Sequence, residues 1–187
     1  MTTFDVGKIG DSLFLLMLGA GFDAHVVRQV HQERSGHISR FTYLKPIWQS
    51  IRRYRYPDIR VSWEDEQGHA CELIGKWAFV MNVPRYAMGL SFAPDASPTD
   101  GYLDICVLNR GGLFSGIDYF RSLIFGRIDK RTDATVIQVK KATIESLSGE
   151  VPYQTDGDPH GELPIELEVV PGRFQCFVPK SFGISKK

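Results

Sequence analysis

Two aspartates of this chain stand in the same tripeptide, Thr-Asp-Gly, which begins at Thr99 and again at Thr155. Asp-Gly is common in turns because glycine adopts a positive φ without strain. A carboxylate in a loop also has two chemical uses. Beside backbone carbonyl oxygens it can bind a hard divalent cation, and on a rigid turn it can accept a proton as a general base. Asp100 and Asp156 are therefore the first candidates for a functional site.

The first aspartate ends a long polar stretch, MGLSFAPDASPTDG. Long loops inside a compact domain are functional more often than short ones. The spacing of Ser97, Asp100 and Tyr102 suits an oxygen-only cation site. The alternative interpretation is that Asp100 only forms the turn that precedes the next strand.

The second aspartate lies in the segment TDGDPH, before a strand that begins at Leu163. A loop between two strands can present Asp156 as an accessible base on a rigid scaffold. Asp158 is a second carboxylate close by, and His160 is a second candidate base. A simple solvated turn remains the alternative for all three residues.

Strand patterns dominate the rest of the chain. Apolar and polar residues alternate in segments 59–63, 103–107, 163–170 and 174–178, and further apolar runs cover 77–83, 134–139 and 142–147. A period of two with one apolar face predicts half-buried antiparallel strands. The regular spacing of the strands favours a sandwich or a barrel-like pair of sheets.

About three helices interrupt these strands. Apolar spacing predicts one from Phe22 that ends near Gly36, a second over 41–51, and a third over 113–124 that stops at Gly126. The sequence contains no repeat or linker. We therefore predict a single α+β domain over 1–187, β predominant, built as a two-sheet, mostly antiparallel β-sandwich.

Composition restricts the partners. The formal net charge is zero, so no global field attracts nucleic acid. Segment 28–60 holds eight Lys or Arg and two acids, which fits a solvated face or contact with an anionic membrane through Arg52, Arg53 and Arg55. Three separated cysteines and no leader pattern predict a cytoplasmic protein, at most peripheral to a membrane.

The segment GAGFDA at Gly19 matches the dinucleotide-binding fingerprint G-x-G-x-x-A. That site needs an acid about twenty residues further on, and no Asp or Glu occurs between Arg34 and Pro57. An NAD(P)-binding enzyme is therefore the less favoured hypothesis, and close packing where a strand turns into a helix is the preferred interpretation.

The order of motifs resembles the C-terminal domain of the diacylglycerol kinase and sphingosine kinase superfamily, in its soluble bacterial lipid kinase form. The resemblance covers nearly the whole chain. It rests on GAGFDA, on an N-V-x(n)-G-x-x-x-A-P segment that begins at Asn82, on DGYLDI, and on the late Asp156–Gly157 pair.

This resemblance implies a β-sandwich that closes on a separate nucleotide-binding domain. Asp156 would be the base that takes a proton from a lipid hydroxyl as it attacks the γ-phosphate of ATP bound with Mg²⁺. Asp100 would bind a structural Mg²⁺ together with the carbonyl groups of Ser97 and Tyr102. Lipid chains would lie in an apolar cleft lined by Phe41, Trp48 and Ile51, or by Phe114 and Phe120.

Two departures from the family pattern limit this expectation. Asp158 stands where the family usually has Glu, and the chain contains no G-G-D-G-T phosphate segment. We therefore expect a fragment or a short gene product without its nucleotide-binding domain, with negligible kinase activity alone. Diacylglycerol, sphingoid bases, phosphatidylglycerol and non-lipid alcohols all stay open as acceptors. The alternative function is a non-catalytic lipid- or protein-binding β module derived from such a kinase.

Overall fold

The computed structural model describes residues 1–32, 54–86 and 89–178. Within these ranges the chain forms twelve β-strands and two α-helices. In chain order they are β1 Thr2–Ile9, β2 Ser12–Phe14, β3 Met17–Gly21, α1 Phe22–Gln32, β4 Ile59–Glu64, β5 Ala70–Gly75, β6 Trp77–Met81, β7 Leu103–Leu108, α2 Leu113–Ile124, a 3-10 helix Ile128–Lys130, β8 Ala134–Val139, β9 Lys141–Ser146, β10 Pro152–Thr155, β11 Asp158–Glu162 and β12 Ile165–Cys176.

The strands form two six-stranded sheets. Sheet I has the order β2-β1-β12-β9-β4-β5, and sheet II has the order β11-β10-β3-β6-β7-β8. Every pairing between neighbours is antiparallel. The predicted α+β class, with β predominant and an antiparallel two-sheet sandwich, is confirmed.

The main core lies between the two sheets. Alternate side chains of each strand point into it, and its fully buried members include Phe14, Val61, Ile105, Ile144 and Leu167. Each such side chain contributes about 1.5–3 kcal/mol when it leaves water. This core fixes the strand register, because a slip of one residue would turn every apolar side chain outward.

A second apolar cluster covers the outer face of sheet II. It joins Met17, Phe79 and Cys106 of the sheet to Val26 of α1 and Tyr119 of α2. As a result β7 is buried along its whole length. The expectation that this strand would be half-buried was wrong, since the helices cover the face that the alternating pattern assigns to water.

The helix predicted from Phe22 is confirmed as α1, which is described to Gln32, and its predicted end near Gly36 lies outside the described residues. The helix predicted over 113–124 is confirmed as α2, and Gly126 follows it with a φ of 59°. The helix predicted over 41–51 lies outside the described residues. The segments predicted as separate strands at 163–170 and 174–178 belong instead to one long strand, β12. None of the described helices is long and apolar enough to cross a membrane.

A candidate substrate site at the Asp156 turn

Asp156 and Gly157 form the two-residue turn between β10 and β11. Both have positive φ, 52° and 97°, as a type I′ hairpin turn requires. Asp is among the few non-glycine residues that tolerate this region. The Asp-Gly pair therefore does form a hairpin turn, and the next question is where the Asp156 carboxylate points.

The carboxylate of Asp156 turns back onto the loop between β2 and β3. It accepts hydrogen bonds from three consecutive backbone N–H groups: Leu15 at 2.7 Å, Leu16 at 2.8 Å and Met17 at 2.9 Å. The backbone N–H of Asp156 in turn donates to the Met17 carbonyl at 2.9 Å. Of roughly four acceptor directions on a carboxylate, three are occupied. The half-buried side chain is thus fixed in one position at the rim of sheet II.

Asn82 holds the same loop from its other side. Its side-chain Nδ2 donates to the Leu15 carbonyl at 2.8 Å and to the Asp5 carbonyl at 2.9 Å. Its backbone N–H donates to the Leu16 carbonyl at 3.0 Å. Asn82 is almost completely buried, and its Oδ1 accepts no hydrogen bond in the described part of the chain. The loop that carries the N–H groups is therefore clasped between Asn82 and Asp156.

This loop and the strand before it, β2, also present apolar side chains to solvent. Leu13, Leu15 and Leu16 are 48%, 38% and 42% exposed. Two of them supply N–H groups to Asp156, so the carboxylate stands beside an apolar rim. An amphiphile with an alcohol group and a hydrocarbon chain has complementary partners here.

Gln154 connects the turn to the first helix. It is fully buried, its Nε2 donates to Asp23 Oδ2 at 2.9 Å and lies 2.9 Å from Met17 Sδ, and its Oε1 accepts the N–H of Gly157 at 2.8 Å. Burial raises the pKa of the Asp23 carboxyl, and the hydrogen bond from Gln154 opposes that rise. The helix N-terminus and the turn are therefore joined through one side chain.

The geometry also explains the glycine of GAGFDA. A Cβ on Gly19 would lie 2.5 Å from Asp23 Oδ2 and 2.9 Å from Gln154 Nε2. In addition, β3 has antiparallel neighbours on both sides, whereas the dinucleotide fingerprint belongs to a parallel sheet. Close packing, and not phosphate binding, accounts for the motif.

The other candidates of the turn are arranged differently. His160 Nδ1 lies 3.2 Å from Thr155 Oγ1, and its Nε2 lies 3.2 Å from Ser12 Oγ. Both ring nitrogens thus have hydroxyl neighbours. Asp158 is exposed at the start of β11, and it does not share the three N–H groups that hold Asp156.

The Asp100 loop is built around a buried residue, Asp5. The Asp5 carboxylate accepts the N–H of Gly101 at 2.7 Å and the N–H of Gly172 at 2.8 Å, and its own N–H donates to the Pro98 carbonyl at 2.7 Å. The pairing of β1 with β12 shifts register between Phe4 and Val6. This bulge turns the Asp5 side chain toward the loop.

The predicted metal ligands occupy the same loop. Asp100 Oδ1 accepts the N–H of Tyr102 at 3.1 Å, and Ser97 Oγ lies 3.3 Å from Thr99 Oγ1. Among the described residues no group of three or more His, Cys, Asp or Glu is placed to hold a metal. The predicted donor set is one carboxylate, that of Asp100, and the backbone carbonyl oxygens of Ser97 and Tyr102. Such a set fits Mg²⁺, which binds through one or two carboxylates and keeps several waters.

Hydrogen bonds link the two candidate sites. The path runs from the Gly101 N–H to the Asp5 carboxylate, from the Asp5 carbonyl to Asn82, and through Leu15 to Asp156. Sequence reasoning did not assign a role to Asp5, and it used Asn82 only as part of a motif. The sequence offered one signal for these two residues: each is a polar residue within or at the end of an apolar, strand-like segment.

The predicted lipid and membrane residues are placed as follows. Phe114 and Phe120 are exposed on α2. Arg55 is exposed, and Arg52 and Arg53 lie outside the described residues, as do Phe41, Trp48 and Ile51. A cavity of about 710 Å³ opens between α1 and segment 54–58, away from Asp156.

The fold and the clasped turn define a class of protein: a helix-covered antiparallel β-sandwich domain with a carboxylate fixed at the rim of one sheet. Residues 17–178 match the family described as the YegS C-terminal NAD kinase beta sandwich-like domain. The chain belongs to this family.

Relatives agree with this assignment. The chain is 24% identical over 174 residues to a protein of Streptococcus pneumoniae serotype 4 (strain ATCC BAA-334 / TIGR4) named "Putative lipid kinase", which covers 92% of this chain and 56% of the relative. It shares its fold with a putative diacylglycerol kinase from Bacillus anthracis str. Sterne, with a TM-score of 0.63, 21% identity and coverage of 92% and 55%. A second structure, of a diacylglycerol kinase from the same strain, matches with a TM-score of 0.59 and 20% identity. This match covers 92% of this chain and 52% of the other. The chain thus spans about half the length of these relatives.

Proposed function

We propose that this chain is the substrate-side domain of an ATP-dependent lipid kinase of the diacylglycerol kinase type. In the complete enzyme a separate domain holds ATP bound with Mg²⁺, and the domain formed by the present chain presents the lipid hydroxyl. The observation that carries the proposal is the position of Asp156, a fixed carboxylate beside the exposed side chains of Leu13, Leu15 and Leu16.

In this reaction the lipid hydroxyl oxygen forms a bond to the γ-phosphorus of ATP, and the bond from that phosphorus to the bridging oxygen of ADP breaks. Asp156 accepts the hydroxyl proton. Phosphoryl transfer depends chiefly on alignment and charge stabilisation. Three N–H hydrogen bonds hold the carboxylate in one orientation and leave one acceptor direction for the hydroxyl.

The exposed side chains of Leu13, Leu15 and Leu16, here called the leucine rim, would bind the hydrocarbon part of the lipid. A lipid that places its hydroxyl at Asp156 can lay the adjoining hydrocarbon over the β2–β3 loop. Each buried methylene contributes about 0.8 kcal/mol, so even a short contact raises the residence time of the head group at the carboxylate. A non-lipid alcohol would gain nothing from this rim.

A phosphoryl-transfer assay tests the proposal. We would join the nucleotide-binding half of the streptococcal relative to this chain, and measure transfer of labelled γ-phosphate to diacylglycerol in mixed micelles. The same half joined to its own C-terminal domain is the positive control. We expect transfer by the fusion and negligible transfer by this chain alone.

Two matched variants test whether the Asp156 carboxylate is the base. Asp156→Asn keeps a residue that tolerates positive φ, and we expect it to lower turnover by at least a hundredfold. Asp158→Asn removes an exposed carboxylate two positions away, and we expect it to retain most of the rate. Equal rates in both variants would contradict the role of Asp156.

We further propose that Asp100, with the carbonyl oxygens of Ser97 and Tyr102, binds a structural Mg²⁺. A ligand that binds only the folded state stabilises it by about 2.7 kcal/mol at a hundred times its dissociation constant. Thermal unfolding with increasing Mg²⁺ should therefore show a rise in Tm that Asp100→Asn loses. Asp95→Asn, an exposed acid of the same loop, should keep the rise.

A second candidate function is favoured by the same three hydrogen bonds. If the Asp156 carboxylate serves only to hold the β2–β3 loop, the chain is a non-catalytic lipid- or protein-binding module. In that case an active fusion would tolerate Asp156→Asn to the extent that it stays folded.

A further inference from the structure

The outward face of α2, together with Phe125 that directly follows the helix, carries five large apolar residues and one arginine. Phe114 is 85% exposed, Phe125 68%, Ile124 57%, Ile117 52% and Phe120 44%, and Arg121 lies among them. At 100° per residue these positions share one side of the helix. The opposite side, with Ser115, Tyr119 and Leu123, is buried against sheet II.

A surface helix normally turns polar residues to water. Here both sides of α2 are apolar, so the outward face is a contiguous exposed apolar patch of the kind that marks an interaction site. The helix is also held firmly in place. Tyr119 Oη donates to the Asp133 carbonyl at 3.2 Å and accepts the Arg110 N–H at 3.0 Å, so the patch is preformed.

The charges around this face are unbalanced. Segment 113–131 contains four basic residues and two acids. Arg121, Arg127 and Lys130 are exposed. The acid on the helix itself, Asp118, is paired with Arg131 at 2.7 Å. The second acid, Asp129, is exposed, which leaves three exposed cations against one exposed acid. Exposed cations therefore border the apolar patch, in a chain whose formal net charge is zero.

These features favour one occupant over another. In a two-fold dimer the same patch meets itself, so the contact would bring together two sets of the same cations, Arg121, Arg127 and Lys130. Helices that lie in a membrane interface combine bulky aromatic residues on one face with Lys and Arg beside it. Anionic lipid head groups supply the opposite charge.

We propose that the outward face of α2 docks this domain on an anionic membrane surface. Phe114, Ile124 and Phe125 enter the boundary between head groups and acyl chains, and Arg121, Arg127 and Lys130 contact anionic head groups. The inference deepens the proposed function, which needs a lipid delivered from a bilayer. Its test does not involve phosphoryl transfer, so the two can fail separately.

Flotation with lipid vesicles tests the docking surface. Wild-type chain would be mixed with vesicles of phosphatidylcholine alone, or of phosphatidylcholine with 30% phosphatidylglycerol. We expect binding to the anionic vesicles that weakens with added salt. The Phe114→Ser/Phe125→Ser variant should bind at least tenfold more weakly, and Arg121→Gln/Arg127→Gln about 25-fold more weakly, since each cation near the surface contributes about fivefold.

A matched control removes two exposed apolar side chains elsewhere. Ile74→Ser/Phe177→Ser changes residues that are 44% and 85% exposed, and it should bind as wild type does. A Phe125→Trp reporter should show a blue shift and quenching by brominated lipids. Circular dichroism confirms that each variant is folded.

Several outcomes would overturn the inference. They are no binding of the wild type to anionic vesicles, equal binding by the two-Phe variant, or an equal loss in the control. If sedimentation showed that the wild type is a dimer and that only the Phe114→Ser/Phe125→Ser variant is a monomer, the patch would instead be an interface between two copies of the chain. Asp156→Asn should bind vesicles normally, so loss of kinase activity in the fusion leaves this result intact.

Discussion

The substitution Gly19→Ala gives a sharp test of how the Asp156 turn is assembled. The φ of Gly19 lies outside the left-handed region, so alanine meets no backbone penalty there. Its Cβ would nevertheless stand 2.5 Å from Asp23 Oδ2 and 2.9 Å from Gln154 Nε2. Either the half-buried Asp23 or the buried Gln154 has to move, and the hydrogen bond between them is the contact at risk.

The magnitude follows from three effects. Overpacking costs about 1–3 kcal/mol, and a buried polar group that loses its partner costs about 1–3 kcal/mol. These two overlap, because the same displacement that relieves the clash breaks the bond. Alanine also restricts the unfolded chain, which stabilises the fold by about 0.4–1 kcal/mol. We expect a net loss of about 2 kcal/mol, or about 4–8 °C in Tm for a chain of this length.

Chemical denaturation with a double-mutant cycle measures this effect. Asp23→Ala removes the nearest obstacle, so Gly19→Ala should cost at least about 1 kcal/mol less in that background. The matched control is Gly116→Ala in α2, where a Cβ would lie 3.7 Å from the Trp77 ring and should stabilise by about 0.5–1 kcal/mol. Gly19→Ala as stable as wild type, or equally costly in both backgrounds, would refute the packing explanation.

Three further predictions concern stability and reactivity. Asn82→Ala leaves the carbonyl groups of Leu15 and Asp5 without their side-chain donor, and should lower the free energy of unfolding by about 2–4 kcal/mol; a loss below about 0.5 kcal/mol in urea unfolding would contradict the clasp. Because burial raises the pKa of Asp23, its ionised form opposes folding, so wild-type stability should fall as pH rises from about 4 through the raised folded pKa. The stability of Asp23→Asn relative to wild type should therefore increase between acid and neutral pH. A stability difference that does not change with pH would contradict the raised pKa of Asp23. Burial raises the pKa of Cys106 to about 12, so this thiol should react with Ellman's reagent only after unfolding, and rapid labelling of Cys106 in the native protein would disprove its burial.

Local patterns in the sequence were sufficient for the sandwich and for the presence of a turn at Asp156. Strand β8 coincides with its predicted run at 134–139, and the Asp-Gly pair at 156 forms a hairpin turn, which was one of the two interpretations that the sequence left open. Both depend on neighbouring residues only. Alternation of apolar and polar side chains and the positive φ of an Asp-Gly pair are local properties.

The internal supports of the site were not predictable in this way. Asp5 binds the N–H of Gly172, 167 positions away, and Asn82 binds the Leu15 carbonyl, 67 positions away. No pattern within a window of residues contains such pairs. The direction of the Asp156 carboxylate has the same origin, because its three partners lie about 140 positions earlier in the chain.

Helix α2 shows a different limit. Its apolar spacing at Leu113, Ile117, Phe120 and Ile124 correctly indicated a helix, but the last three residues are exposed, and the buried side is that of Tyr119. Periodicity cannot choose between two apolar sides. The buried side packs Tyr119 and Leu123 into the apolar cluster on sheet II, and Tyr119 is hydrogen-bonded to Arg110 and to the Asp133 carbonyl, both outside the helix.

Asp156 has both a structural and a proposed chemical role, and the two can be separated because Asn82 shares only the first. Both residues hold the β2–β3 loop, so replacing either one loosens the loop. Only Asp156 offers a carboxylate to a hydroxyl. In an active fusion, Asn82→Ala should therefore reduce turnover in proportion to the loss of folded protein, whereas Asp156→Asn should lower turnover by at least a hundredfold at temperatures where it remains folded. Activities that follow folded population equally in both variants would make the carboxylate a scaffold and not a base.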